Sequence, residues 1–171
     1  MKLVYSVAAS LDGYIAGPNG EYDWIAVDPE IDFEAMYAGF GGIVMGRRSY
    51  EVFAETGGAP GPALPTYVYS TTLPEGERKG ITFARDAVRH VRMLKAQGDG
   101  KPLWLWGGGN LFRQLADAGL VDGVEIAIIP VVLGGGLPLI AEPGPRLRLQ
   151  LRGHRVYNTT GTVFLQYDVV A

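Results

Sequence analysis

The chain has 171 residues, a formal net charge of −3 at pH 7 and 47% hydrophobic residues. This length suits one domain with a complete core, and the composition is that of a globular protein. The acidic balance argues against a dedicated nucleic-acid binder. Cysteine is absent, which excludes disulfides, thiolate metal sites and cysteine nucleophiles. We therefore expect a single domain over residues 1–171.

Two histidines, His90 and His154, are the available imidazoles, and they lie far apart in the sequence. Both are predicted at the surface, so neither a metal site nor a Ser-His-Asp triad is expected. No apolar run approaches the ~20 residues of a membrane span, and the chain begins directly with a strand pattern. These features predict a cytoplasmic protein without a metal, membrane or nucleic-acid partner.

The first third of the chain alternates strand and helix patterns. A strand is predicted from Leu3 to Ala9, followed by a long loop dense in turn residues from Ser10 to Gly20. A helix is predicted to open at Asp28-Pro29-Glu30, because apolar residues then recur at helical spacing: Phe33, Met36, Tyr37 and Phe40.

A second short strand, Ile43 to Met45, turns at once into a helix that begins with Gly46-Arg47-Arg48-Ser49 and is predicted to end at Gly57-Gly58. Two arginines in a first helical turn oppose the macrodipole at a cost of a few tenths of a kcal/mol each. A bound anion would reverse that cost. The alternative is that both arginines are solvated and bind no anion.

Hydroxyl side chains follow the third predicted strand, Pro65 to Tyr69. In open α/β sheets ligands bind at this end of a strand, so Ser70, Thr71 and Thr72 could hold phosphate or ribose, or merely terminate the strand. A fourth strand is predicted from Ile81 to Ala84, and a helix capped by Asp86 runs through Gln97.

The run Leu103 to Trp106 predicts a buried strand that ends in Gly107, Gly108 and Gly109 before a helix begins. Three residues without Cβ leave backbone N–H groups uncovered at the positive end of a helix, where phosphates bind. The usual dinucleotide fingerprint fails because Phe112 replaces its third glycine. A ligand-free turn is therefore the alternative.

The remaining chain contains a strand from Val121 to Pro130, a second glycine-rich loop from Val131 to Pro138, and strands near Arg146 to Tyr157 and Thr162 to Val170. Strand-helix alternation that ends in a hairpin predicts an α/β fold with a mainly parallel sheet and an antiparallel edge.

Three segments together resemble the dihydrofolate reductase-like superfamily: Ser10-Leu11-Asp12-Gly13-Tyr14-Ile15-Ala16, then Val44-Met45-Gly46-Arg47-Arg48-Ser49-Tyr50-Glu51, then Trp106-Gly107-Gly108-Gly109. They are most similar to the C-terminal reductase domain of the bifunctional riboflavin-biosynthesis deaminase-reductase. The resemblance spans nearly the whole chain. It implies a three-layer α-β-α fold with an antiparallel C-terminal edge hairpin, and an NADPH-dependent oxidoreductase of the pyrimidine reductase type.

By position, the resemblance implies that the nicotinamide meets backbone at Ala8 and Ile15. The phosphates and the adenosine end would meet a second set of residues: Gly46, Arg47, Arg48, Ser49, Ser70, Thr71, Gly107, Gly108, Gly109, Asn110 and Leu111. This set combines arginine with hydroxyl groups, which favours the 2′-phosphate of NADPH over NADH.

The substrate is expected against Trp24, Phe33, Pro130 and Leu133. Dihydrofolate reductases bind the pterin through an acid and a supporting threonine, whose positions here carry Pro29 and Ala127, so folate reduction is disfavoured. The expected activity is that of a 5-amino-6-(5-phosphoribosylamino)uracil reductase. A dihydrofolate reductase and a non-catalytic NADP-binding module are the alternatives.

No proton donor can be assigned. Asp12, Glu30 and Asp32 are weak catalytic candidates, and helix caps or solvated loop carboxylates are the favoured alternative for each. A homodimer is expected, because relatives of the riboflavin type are commonly dimers. The apolar strand residues near Leu147–Leu151 and Val163–Leu165 could supply its interface.

Overall fold

The computed structural model describes residues 1–55, 64–98, 100–144 and 146–170. In chain order the elements are β1 (Leu3–Ser10), β2 (Tyr14–Ala16), α1 (Phe33–Ala38), β3 (Gly42–Gly46), α2 (Arg47–Glu55), β4 (Thr66–Tyr69), β5 (Gly76–Arg78), β6 (Ile81–Ala84), α3 (Ala87–Gln97), β7 (Leu103–Gly107), α4 (Gly109–Asp117), β8 (Gly123–Ile129), β9 (Leu137–Pro138), β10 (Arg148–Tyr157) and β11 (Thr162–Val170).

Nine strands form one sheet in the order β10-β11-β8-β1-β7-β3-β4-β6-β5. The strands from β8 to β6 in this order are mutually parallel, whereas β11 and β10 add to one side and β5 to the other in antiparallel pairing. β2 and β9 form a separate two-stranded sheet. The predicted mainly parallel α/β sheet with an antiparallel C-terminal hairpin is confirmed.

Helices cover both faces of the sheet, because alternate residues of the central strands point to opposite sides. Leu3 and Tyr5 of β1 pack into a core with α3 and α4, where the Tyr5 and Phe112 rings stack with centroids 4.4 Å apart. Val4 points into a second core beneath α1 and α2. In that core the indole N–H of Trp104 donates to the Ser6 carbonyl at 2.7 Å, so its buried donor is satisfied.

Helix α1 begins later than the spacing predicted, so the prediction of a helix from Asp28 is wrong at its start. Asp32 caps the helix, and its Oδ1 accepts the amide of Ala35 at 2.9 Å. Asp28 instead turns inward and accepts the Glu30 and Thr160 amides. The predicted end of α2 at Gly57-Gly58 lies outside the described residues.

His90 is half-buried, so its predicted surface location is wrong. Its Nδ1 lies 3.1 Å from the Tyr69 hydroxyl, and the ring meets Tyr67 and Tyr69 edge-on at 5.5 and 5.8 Å. Burial lowers the pKa of His90. His154 is exposed, as predicted. Within the described ranges no helix has the length and apolarity needed to cross a bilayer.

Candidate cofactor and substrate site

The carboxyl ends of three neighbouring strands bring the predicted phosphate-binding residues together. β3 ends at Gly46, β4 is followed by Ser70, and β7 ends at Gly107. β3 lies between the other two, with Met45 beside Gly107 and Gly46 beside Tyr69. We call the segments Gly46–Ser49, Ser70–Thr72 and Gly107–Leu111 the donor edge.

The turn from β7 to α4 exposes backbone donors at the donor edge. Gly107 has a φ of +152°, the Gly107–Gly108 peptide is cis, and Gly108 caps α4 without a side-chain hydrogen bond. A Cβ on Gly107 would stand 2.9 Å from Ser49 Oγ, so the space between the starts of α2 and α4 stays open only for glycine. The first N–H groups of a helix have no partner within the helix, and together with the positive helix end they suit an anion there.

The two arginines of α2 differ in their hydrogen-bond and ion-pair partners. Arg47 donates to Glu51 Oε1 at 2.7 Å and to Thr72 Oγ1 at 3.0 Å. Arg48 is exposed and has no ion-pair partner in the described ranges. With no acid in the first turn of α2, a bound anion is the natural counter-ion for Arg48.

The hydroxyls after β4 are partly committed to the loop itself. The buried Ser70 Oγ accepts the amides of Thr72 and Leu73 at 3.1 and 3.0 Å. Thr71 is exposed, and Thr72 links this loop to Arg47. The sequence pattern included Thr72 among the three hydroxyl residues after this strand, whereas the family resemblance assigned only Ser70 and Thr71 to the site.

Two loops beside β1 are clamped together by Asp12. Its carboxylate accepts Ser10 Oγ at 2.7 Å and the amides of Leu133 and Gly134 at 3.1 and 2.7 Å. Farther along, a Cβ on Gly136 would lie 2.1 Å from the Ala16 carbonyl, so only glycine permits this approach. The hydrogen bond from Ser10, followed by those from the loop amides, holds the pKa of Asp12 below its usual value.

The predicted substrate residues lie on two loops, before α1 and after β8, and at the first residue of α1. Phe33 packs against the core under α1, Leu133 is half-buried in the clamped loop, and Pro130 is exposed at the end of β8. Trp24 is half-buried and donates its indole N–H to the Glu21 carbonyl at 3.1 Å. We call Trp24, Phe33, Pro130 and Leu133 the loop wall.

Ala8 and Ile15, predicted at the nicotinamide, lie on β1 and β2 on the same side of the sheet as the clamped loops. Ala8 pairs with Ala127 of β8 near the carboxyl end of both strands. In α4, Asn110 is exposed, whereas the Leu111 side chain is buried in the core, so Leu111 offers only its backbone.

The three weak proton-donor candidates each have a structural partner. Asp12 clamps two loops, Glu30 forms a 3.0 Å ion pair with Arg155, and Asp32 caps α1. These are the local roles that sequence reasoning favoured. A carboxylate that is already held by hydrogen bonds or an ion pair is poorly placed to deliver a proton to a substrate.

The donor edge fits a dinucleotide phosphate group. A glycine turn that a Cβ would fill, two neighbouring helix N-termini and Arg48, which has no ion pair in the described ranges, supply donors of the kind that phosphates bind.

This arrangement of sheet, helices and carboxyl-edge loops is a mixed α/β fold of the dihydrofolate reductase-like type. A family model described as the RibD C-terminal domain matches residues 1–163, and the chain belongs to that family.

The chain is also similar to individual proteins. The "Uncharacterized protein YyaP" of Bacillus subtilis is 31% identical over 97% of this chain and 94% of its own length. The structure of a "Putative riboflavin biosynthesis protein" of Shewanella sp. PV-4 superposes with a TM-score of 0.85, at 26% identity and full coverage of both chains. Dihydrofolate reductase of Enterococcus faecalis, complexed with NADP(H), shares the fold with a TM-score of 0.70 at 18% identity, covering 99% and 97% of the two chains.

Proposed function

We propose that the protein is an NADPH-dependent reductase of the pyrimidine reductase type, similar in reaction to a 5-amino-6-(5-phosphoribosylamino)uracil reductase and acting in the cytoplasm on a small heterocyclic substrate. The observation that carries the proposal is the donor edge, where the open glycine turn of α4 lies beside the arginine-bearing start of α2. Membership of the RibD C-terminal domain family supports the same reaction class.

In this proposal, different residues of the donor edge bind different parts of the coenzyme. Gly107, Gly108 and Gly109 would receive the pyrophosphate through backbone N–H groups, because Gly108 caps α4 with no side-chain hydrogen bond. Arg48 and Arg47, with the hydroxyls after β4, would hold the 2′-phosphate. A guanidinium binds a phosphate through charge-assisted hydrogen bonds, which NADH cannot use at this position.

When bound, NADPH supplies a hydride to an electrophilic carbon of the substrate, whose heteroatom then takes up a proton. The protein's own contribution is positional. The Asp12 clamp fixes the loop that carries Leu133, and the loop wall excludes water from the reacting atoms. The proton comes from a water, because Asp12, Glu30 and Asp32 are otherwise engaged.

A non-catalytic NADP-binding module is the second candidate. It is favoured by the structural engagement of all three carboxylates named above. A dihydrofolate reductase is less favoured, because Ala127 of β8 offers no hydroxyl and Pro29 is exposed ahead of α1.

Consumption of NADPH with a panel of aminopyrimidines, pterins and small carbonyl compounds separates these candidates. The proposal predicts loss of the reduced-nicotinamide absorbance with at least one heterocycle and little loss with NADH. Tight NADPH binding without consumption across the whole panel would instead identify the binding module.

A further inference from the structure

The substrate side of the molecule is strongly acidic. From residue 3 to residue 46 the sequence contains no Lys, Arg or His, and it contains seven carboxylates: Asp12, Glu21, Asp23, Asp28, Glu30, Asp32 and Glu34. This stretch supplies β1, the loop that follows it and α1, and therefore half of the loop wall.

Two of these carboxylates are fixed in position. Asp12 is held by the Leu133 and Gly134 amides, and the buried Asp28 accepts the amide and hydroxyl of Thr160, each at 3.0 Å. Burial alone would raise the pKa of Asp28, but the hydrogen bonds from the Glu30 amide and from Thr160 outweigh it, and the net shift is downward. The negative charge on this side is thus built into the fold.

The arginine that pairs with this acidic stretch is neutralised by that contact. Arg155 of β10 pairs with Glu30 at 3.0 Å and lies over the Tyr157 ring at 4.6 Å. Farther down the same strand, Arg152 pairs with the buried Glu125 at 2.7 Å. In the described ranges both of these β10 arginines are therefore paired with a carboxylate, and residues 3–46 and 56–63 contain no Lys, Arg or His in the sequence.

The rim next to the loop wall is apolar. Leu11 and Val132 are 66% and 65% exposed, and the Leu11 amide donates to the Val131 carbonyl at 2.8 Å, so their two loops run side by side. Exposed apolar side chains at the rim of a site favour an apolar ring over a charged group.

We propose that the substrate is an uncharged heterocycle that carries no phosphate, in contrast to the phosphoribosyl compound of the riboflavin-type reaction. This inference rests on the proposed function, because it concerns the same site. The donor edge attracts an anionic coenzyme, whereas the carboxylates beside the loop wall repel a second anion. The donor edge carries positive charge, whereas the loops beside the loop wall carry negative charge. Coenzyme and substrate are therefore directed to different parts of the site.

The test compares a matched pair of ligands: an aminopyrimidine riboside and its 5′-phosphate. Each is titrated by calorimetry into protein saturated with NADP⁺, and each is then assayed for NADPH consumption. We expect the riboside to bind at least tenfold more tightly than its phosphate, with a smaller ratio at high salt because screening weakens the repulsion. Equal or tighter binding of the phosphate overturns the inference but leaves the proposed reductase standing.

A variant pair sharpens the result. Glu30→Gln frees Arg155, so it is expected to raise the affinity for the phosphorylated ligand severalfold while leaving riboside binding little changed. Glu77→Gln removes an exposed carboxylate on β5, at the opposite side of the sheet, and is expected to change neither affinity. A Glu30→Gln protein that still rejects the phosphate as strongly as the parent contradicts the role given to this ion pair. If neither ligand binds although NADPH does, the aminopyrimidine class fails together with the inference.

Discussion

Arg47 and Arg48 are neighbours of the same type, yet the structure gives them different tasks. Arg47 is tied to Glu51 and Thr72, so it joins α2 to the loop after β4. Arg48 is exposed and has no such partner in the described part of the chain. The sequence predicted that this pair favours an anion, but it could not show which of the two is free, because that depends on a contact with a residue 25 positions away.

Arg48→Ala is expected to weaken NADPH binding roughly tenfold or more, since a hydrogen bond to a charged group contributes about 1.5–3 kcal/mol. NADH binding should change little, because NADH lacks the 2′-phosphate. Arg92→Ala, which removes an exposed arginine from α3, serves as the control. Titration of each coenzyme measures the effect, and an equal loss for NADPH and NADH would refute the assignment of Arg48 to the 2′-phosphate.

Asp12 makes a pH-dependent contribution to the stability of the folded protein, and the sign of this contribution is defined. Its pKa is lower in the folded protein than its usual value, so its stabilisation is fully present above the ordinary carboxyl pKa of about 4 and is lost as the pH falls through the lower folded value. Asp12→Asn should therefore lower stability at neutral pH, and the difference from the parent should shrink in acid.

Amide hydrogen exchange checks the same variant locally. In Asp12→Asn the amides of Leu133 and Gly134 should exchange faster, whereas Asp23→Asn, an exposed loop change, should leave them protected. Unchanged protection of these two amides would show that the clamp does not hold the loop.

At the scale of elements, the turn from β7 to α4 shows what a sequence can and cannot predict. Three glycines after a buried run predict a strand, a tight loop and a helix, and these elements are confirmed. The need for Gly109 arises from contacts with the distant segment Pro138–Ala141, which the local pattern does not encode. A Cβ there would lie 2.9 Å from the Pro138 carbonyl oxygen and 3.1 Å from the Ala141 nitrogen.

Gly109→Ala is accordingly expected to destabilise the protein by about 1–3 kcal/mol, the usual cost of overpacking against backbone atoms. Gly135→Ala is the matched control, because a Cβ at Gly135 has nothing within 4 Å. Urea unfolding of both variants measures the difference. Equal stability of the two proteins would mean that the α4 turn does not pack against this segment as described.

Other elements also differ from the sequence pattern because contacts with residues distant in the sequence determine them. α1 starts at Phe33 because Asp28 is drawn inward by Thr160, a residue of the hairpin turn 132 positions later. His90 is half-buried because Tyr67 and Tyr69 of β4 present their rings to α3. Short strands such as β2 and β9 are too brief to show a period in the sequence.

For the whole molecule, the position of β10 at the end of the nine-stranded sheet bears on assembly. This strand of ten residues has exposed apolar side chains, including Leu149 at 43%, Leu151 at 52% and Val156 at 50%. Long edge strands of this kind favour pairing with a second chain. We propose a homodimer that uses this strand.

Light scattering at micromolar concentration should give the mass of a dimer. Leu151→Lys places a charge on the edge strand and is expected to yield monomers, whereas Met93→Lys, at a similarly exposed apolar position on α3, should leave the dimer intact. A parent protein that is monomeric under these conditions would contradict the proposal.

The sheet also orders the charges of the molecule, with arginines and helix N-termini at the ends of β3, β4 and β7 and carboxylates along the loops beside β1. The proposed function depends on one feature of this pattern, namely that the donor edge holds a coenzyme with an additional phosphate. Calorimetric titration of the purified protein with NADPH and with NADH tests it most directly. We expect NADPH to bind with micromolar or tighter affinity and NADH at least tenfold more weakly, and a protein that binds neither coenzyme would contradict the account.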